Sequence, residues 1–257
     1  MMKRFDPRIV IGLLLIIGGG LALAQTMGYL ENTSDYFWGA AFLLGGLAFL
    51  TLLFSGGANW WAAIPGFTLA GLGTLILLPE VLEDLGGTVF LGSIALGFWY
   101  VYFTDRSSRW WAIIPGGVLS ALALLILAST YFEDYSGAIV LGGIGLTFFI
   151  VYMSNPAERW WALIPGGVLT TLAGMTVAAE RFGEFQTAGI FFLGLSATFL
   201  LVAVLAKMQW AYWPAGILGI LGVLGLVSLL NIASYLWAVA LIVFGAFLIL
   251  RYFTRRA

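Results

Sequence analysis

The sequence contains neither cysteine nor histidine. The first absence removes disulfides, thiolate nucleophiles and iron–sulfur ligation. The second removes the commonest general base, most zinc sites and haem ligation by histidine. Charge is scarce too: Asp, Glu, Lys and Arg make up 9% of the 257 residues, where a soluble domain carries roughly 25%. The 11 basic and 12 acidic side chains nearly cancel, so no basic field is available to hold nucleic acid. A water-soluble monomer is excluded, and so is a disordered chain, which needs low hydrophobicity.

What is present is apolar. Hydrophobic residues make up 62% of the chain, a further 34 residues are glycine, and the mean hydropathy is +1.04. Ten hydrophobic runs are predicted to cross the membrane, at 9–25, 36–54, 62–79, 86–103, 112–129, 136–153, 162–179, 187–206, 212–229 and 234–252. Most reach the length that a hydrocarbon core of about 30 Å demands. The first run is expected to be mature rather than a cleaved signal, because it continues the series and lacks a small-residue cleavage site.

The cations set the orientation. With the N-terminus inside, the inner side holds Lys3, Arg4, Arg8, Arg106, Arg109, Arg159, Lys207, Arg251, Arg255 and Arg256, and the outer side holds only Arg181. Nine acids fall outside and three inside. Both termini are therefore expected in the cytoplasm.

A repeat organises the chain. WWAAIPG begins at Trp60, WWAIIPGG at Trp110, WWALIPGG at Trp160 and a degenerate WAYWPAG at Trp210. Segments 60–109 and 110–159 align without a gap and share 22 of 50 residues. The last copy slips by one residue and loses its acidic loop. The expected fold is all-α: a polytopic integral membrane bundle and single transmembrane domain over 1–257. Its five tandem two-helix hairpins are 9–59, 60–109, 110–159, 160–209 and 210–257. An even number of spans per copy makes the copies parallel, unlike the inverted repeats of many transporters.

Within each copy the paired indoles belong at headgroup level, where an amphipathic ring finds apolar contact and a donor partner. Pro115 falls in the first turn of its helix, where a missing N–H costs little. Gly116 and Gly117 with Ser120 and Ala121, and their counterparts Gly66/Ala70, Gly166/Thr170 and Gly167/Thr171, form small-xxx-small seams for close helix approach. Trp60, Trp61, Trp110, Trp111, Trp160, Trp161 and Trp210 are the candidate interfacial contacts to lipid or a partner.

The acidic pairs Glu83-Asp84 and Glu133-Asp134 have the oxygen ligands that Ca²⁺ or Mg²⁺ favours, but lack the ordered spacing of a calcium loop. They read as solvated outer turns. No ionisable residue lies near the middle of any span, where one would mark an ion or proton path. Hydroxyls such as Thr147, Thr170, Thr171 and Thr198 can bond to a carbonyl one turn back and need no functional role. No phosphate loop, nucleophile elbow or zinc-protease motif occurs. No catalytic residue, cofactor or metal is expected.

The RFDPRIVIGLLLIIGGG start and the WWAxIPGG openings resemble those of uncharacterised bacterial multi-span proteins. The hairpins are similar to the transmembrane region of LiaI/LiaF-type cell-envelope stress proteins. The likeness covers the membrane hairpins, and no functional residue transfers. It implies a bacterial plasma-membrane protein. Together these features lead us to expect a non-enzymatic scaffold, accessory or envelope-sensing protein. Its partners would be membrane lipids, other membrane proteins or a second copy of itself, and not nucleic acid. The alternative is a transporter or channel for a small or uncharged solute.

Overall fold

The computed structural model describes residues 34–227, apart from 56, 130–131 and 180–183, together with 16, 18–20, 23–28, 239 and 241–245. The first and last expected spans, Arg181 and the cations at both termini lie wholly or largely outside the described residues. The described chain is all-helical. Its long helices are α1 (Ser34–Phe54), α2 (Ala63–Leu77), α3 (Gly86–Thr104), α4 (Ile113–Ser129), α5 (Ser136–Ser154), α6 (Leu163–Ala179), α7 (Glu184–Leu205) and α8 (Tyr212–Val227).

Short 3₁₀ turns precede α2, α4, α6 and α8, at Gly57–Ala62, Trp110–Ala112, Trp160–Ala162 and Gln209–Ala211. With these turns included, eight described segments are long and apolar enough to cross a membrane. They are Tyr36–Leu53, Ala58–Leu77, Gly86–Thr104, Trp110–Ser129, Ser136–Ser154, Trp160–Ala179, Thr187–Leu205 and Gln209–Leu226. The span over 62–79 thus starts and finishes earlier than the sequence suggests, and the one over 212–229 starts earlier. The tryptophan turns are themselves wound into the span.

The chain divides into two compact units, residues 1–97 and 98–257. In the first unit α1 packs against α2, and α2 meets α3 through Gly71 and Ser93; in the second, α4 to α8 each pack against the next in sequence. The interior is built from small residues. Ala62, Ala63, Ala112, Ala162 and Ala211 are fully buried, whereas Leu96, Leu124, Leu146 and Ile220 stand exposed. This inverts the pattern of a soluble core. It follows from lipid as solvent: burying a leucine between helices gains little there, so association depends on backbones coming close.

Close approach is achieved by one recurring arrangement, in which one partner at each crossing is glycine. In the first unit Ser93 sits directly on Gly71. In the second, any side chain at Gly143 would place its Cβ 2.7 Å from that of Ala121, and Thr171 sits directly on Gly194. These three pairs occupy the same crossing in successive hairpins, with the glycine on either side. A second crossing sets Thr147 on Gly117 and Thr198 on Gly167. At a third, a Cβ on Gly46 would lie 2.8 Å from Gly66 O, one on Gly145 3.0 Å from Gly166 O, and one on Gly219 3.0 Å from Ser196 Oγ.

The hydroxyls at these crossings are satisfied without drawing on the neighbouring helix. Thr147, Thr170, Thr171 and Thr198 donate to the carbonyls of Gly143, Gly166, Gly167 and Gly194, four residues back, at 2.8–2.9 Å. Ser196 is an exception, donating across to Ala215 O at 2.7 Å. Buried hydroxyls therefore act as shaped knobs with no unpaired polarity.

The slipped last copy has a structural explanation. Thr198, Phe199 and Val202 match Thr147, Phe148 and Val151 with a displacement of 51, so one residue is added between α6 and α7. Beyond α7 the matching displacement is 49, because the connection Ala206–Met208 has three residues where 155–159 has five. The shorter turn puts Lys207 at φ 56°, a left-handed conformation that costs a non-glycine residue about 1–2 kcal/mol.

The crossing pairs make a direct prediction. Gly143→Ala should destabilise the protein by about 1–3 kcal/mol through overpacking. Adding Ala121→Gly should recover much of that loss, because the pair regains one side chain at the crossing. Thermal unfolding in detergent tests this. A double variant no more stable than Gly143→Ala would reject the pairing.

Candidate functional site

The aromatic ends of the helices are built by the same local sequence each time. After α3 and α5 the chain turns through 105–109 and 155–159. Arg109 and Arg159 N–H each close on the carbonyl four residues back, at 2.9 Å to Asp105 and Asn155. The arginine carbonyls then accept from Ala112 and Ala162 N–H at 3.1 and 3.0 Å, winding the two tryptophans into a 3₁₀ turn. Proline follows at the third residue of each α-helix, inside the first turn, where its fixed φ suits the helix and its missing N–H costs little.

This turn separates the two rings of each pair. Trp60, Trp110 and Trp160 are half-buried, and Trp61, Trp111 and Trp161 are exposed on one side. Each exposed ring stands edge-on to a phenylalanine of the preceding helix. The pairs are Phe49–Trp61, Phe98–Trp111 and Phe148–Trp161, with centroids 6.1, 6.2 and 6.3 Å apart. Phe199–Trp210 repeats the contact at 6.1 Å. Trp210 therefore occupies the place of the second ring, and Gln209 that of the first. The sequence alone aligns Trp210 with the first.

Beneath the turns lies a small apolar core, formed twice in the second unit. Ile113, Val151 and Ala162 make one, with Trp99, Trp110 and Phe148 against it. Leu163, Val202 and Ala211 make the other, joined by Phe149, Trp160 and Phe199. Each core joins the start of one helix, the next helix and the following tryptophan turn.

Two residues of this region had no role in the sequence reading beyond hydrophobicity or topology. Trp99 donates its indole N–H to Ser120 Oγ at 3.0 Å, and Ser120 in turn donates to Gly116 O at 2.8 Å. Arg159 is 5% exposed, lies 4.6 Å from the centroid of the Trp110 ring and donates to Ser154 Oγ. Trp110 and Trp161 are brought together there, 6.4 Å apart. The available signal was the fixed place of Arg109 and Arg159 directly before each tryptophan pair.

In the matching turn, Arg109 donates to Thr104 Oγ1 at 2.6 Å. Asp105 accepts from Ser107 N–H at 3.2 Å, Ser107 Oγ at 2.8 Å and Ser108 N–H at 3.2 Å. These bonds, led by the Ser108 backbone N–H, hold its pKa below the usual carboxylate value.

Among the described residues no group of three or more His, Cys, Asp or Glu gathers to hold a metal ion. A groove of about 560 Å³ runs along α7 and α8, lined by Leu200, Gly216, Ile220 and Val223 and reaching Ser196 and Tyr212. No family model, curated protein or solved structure matches the chain.

The Asp105 turn carries a pH prediction. A lowered folded-state pKa makes its stabilisation fully present above the unfolded value and lost as pH falls through the folded one. Hydrogen exchange over 105–109 should therefore speed up relative to intrinsic rates as the pH drops below 3.8, the unperturbed value. Asp105→Asn, which installs the residue found at Asn155, should show no such step.

Proposed function

We propose that the chain is a non-enzymatic integral membrane protein acting as a scaffold, accessory or envelope-sensing component. In this reading it works through lipid or protein contacts made at the ends of its helices. The observation that carries the reading is the distribution of chemistry. The helix crossings are closed by glycine–hydroxyl pairs whose polar atoms are already bonded. Aromatic rings, arginines and exposed turns collect at the helix ends. A hydroxyl already donating to its own helix has its one proton committed, and it is not a titratable group of the kind that a proton relay uses.

In this proposal the chain is five tandem copies of one hairpin in a bacterial plasma membrane, ten spans in all. Both termini are cytoplasmic and the Trp60, Trp110 and Trp160 turns lie at the inner interface. The second reading, a path for a small uncharged solute, draws on the groove along α7 and α8. Its lining is nearly all apolar, and the Ser196 hydroxyl is engaged with Ala215 O.

Topology is testable without background, because the chain has no native cysteine. Cysteines replacing Asp84 and Asp134 should label from outside, and those replacing Ser107 and Asn155 should not. The reverse pattern would overturn the orientation.

The functional test is a proteoliposome flux panel covering protons, Na⁺, K⁺ and small neutral solutes. The expected result is no gradient-driven uptake and no selective current above protein-free vesicles. Protein-dependent flux abolished by Thr147→Val or Thr198→Val would replace the scaffold reading with the transporter.

A further inference from the structure

We infer that Arg159 is the seat of a phosphate oxyanion at the membrane interface, received beside the Trp110 and Trp161 rings. The inference rests on the interfacial-contact reading above and gives it a ligand class. Its starting point is a charge whose pairing is incomplete. A guanidinium carries five N–H donors and stays charged in proteins. Burial of such a group is unfavourable unless opposite charge and hydrogen-bond acceptors compensate it.

The Arg159 side chain is 95% buried, yet its described partners are one hydroxyl, Ser154 Oγ, and one ring face, Trp110. Neither carries negative charge. Its Nε is sealed from solvent and has no hydrogen-bond partner among the described residues. Trp110 and Ser154 hold the group in place on one side. The preceding residues, Pro156–Glu158, form an exposed turn outside any helix.

The missing partner is therefore an acceptor-rich anion, and the paired N–H donors of a guanidinium suit phosphate oxygens. Position supplies the rest. Arg159 directly precedes a tryptophan turn at the end of a span, the level where indoles meet headgroups. Two sources share this chemistry, the phosphodiester of a glycerophospholipid and free inorganic phosphate. The nearest carboxylate in sequence, Glu158, is exposed. It is the internal rival for the role.

The test uses the full chain in neutral detergent, followed by native mass spectrometry and thermal unfolding. The probes are phosphatidylglycerol, a phosphate-free glycosyl diacylglycerol and inorganic phosphate. Phosphatidylglycerol should be retained and should stabilise beyond the glycolipid. Arg159→Gln should abolish that excess, while Glu158→Gln and Arg106→Gln should keep it. Arg106 is a suitable control because it is an exposed cation 5.3 Å over Phe103.

If Arg159→Gln does not fold, Arg159→Lys keeps the charge and removes the fork. Phosphatidylglycerol affinity should then fall by about tenfold, the loss of one charge-assisted hydrogen bond. Inorganic phosphate reproducing the stabilisation, again dependent on Arg159, supports the site and assigns it to a soluble anion. Equal effects of the two lipids together with no effect of phosphate overturn the inference. So does an excess that survives Arg159→Gln, one undiminished in Arg159→Lys, or one lost equally in Glu158→Gln. Such a result, with the flux panel at background, leaves the contact reading standing. Gradient-driven flux removes that reading whatever the lipids do.

Discussion

Two helix backbones in lipid can touch only where one of them lacks a side chain, and the rest of this structure depends on that constraint. Water drives soluble helices together by expelling apolar surface, but hydrocarbon offers no such gain, and attraction must come from contact itself. The chain meets this need with a glycine on one helix and a hydroxyl or methyl knob on the other. Ser93 on Gly71, Ala121 on Gly143 and Thr171 on Gly194 solve the same crossing three times. The knob is often a hydroxyl that has already donated to a carbonyl of its own helix, so close packing brings no unsatisfied polar atom with it.

This also explains what could be read from the sequence and what could not. Span positions follow from length and composition, and all eight that fall on described residues were legible. The small-xxx-small spacing pointed to the correct helices. It did not say which glycine of a pair does the work. At Gly116 an added Cβ would meet the Phe98 Cβ at 3.3 Å, a tight contact that a shift of a few tenths of an ångström relieves, whereas at Gly117 it would collide with Thr147. Position-by-position comparison hides the crossing pairs, because Gly71, Ala121 and Thr171 look unlike one another. Only the sum over two helices is constant, and that sum exists only once the helices are paired in space.

The helix ends were less legible for a related reason. A tryptophan pair reads as two equivalent interfacial rings, yet the 3₁₀ turn makes them inequivalent, one against the small core and one edge-on to phenylalanine. Trp210 was misaligned because an insertion before α7 and a two-residue shortening after it nearly cancel in the numbering. Arg159 is the sharper case. In sequence it is one more inner cation, and it is buried with its guanidinium over Trp110, 49 positions away across a full hairpin. No local pattern encodes that contact.

The crossing pairs restrict how such a molecule can respond to anything it binds. Sliding one helix by a single residue moves it about 1.5 Å, which takes Thr147 or Thr198 out of the space its glycine leaves open. The crossings therefore behave as register locks with one low-energy arrangement, and they resist gradual deformation. The connecting turns are under no such restriction. They differ in length, in charge and in backbone strain, from Asp105–Arg109 through Asn155–Arg159 to the left-handed Lys207. Where spans are locked and turns vary, differential contact with a ligand can arise only at the turns. The same lock recurs from one hairpin to the next, at Gly46 on Gly66 and Gly145 on Gly166, so the freedom to vary is left to the turns.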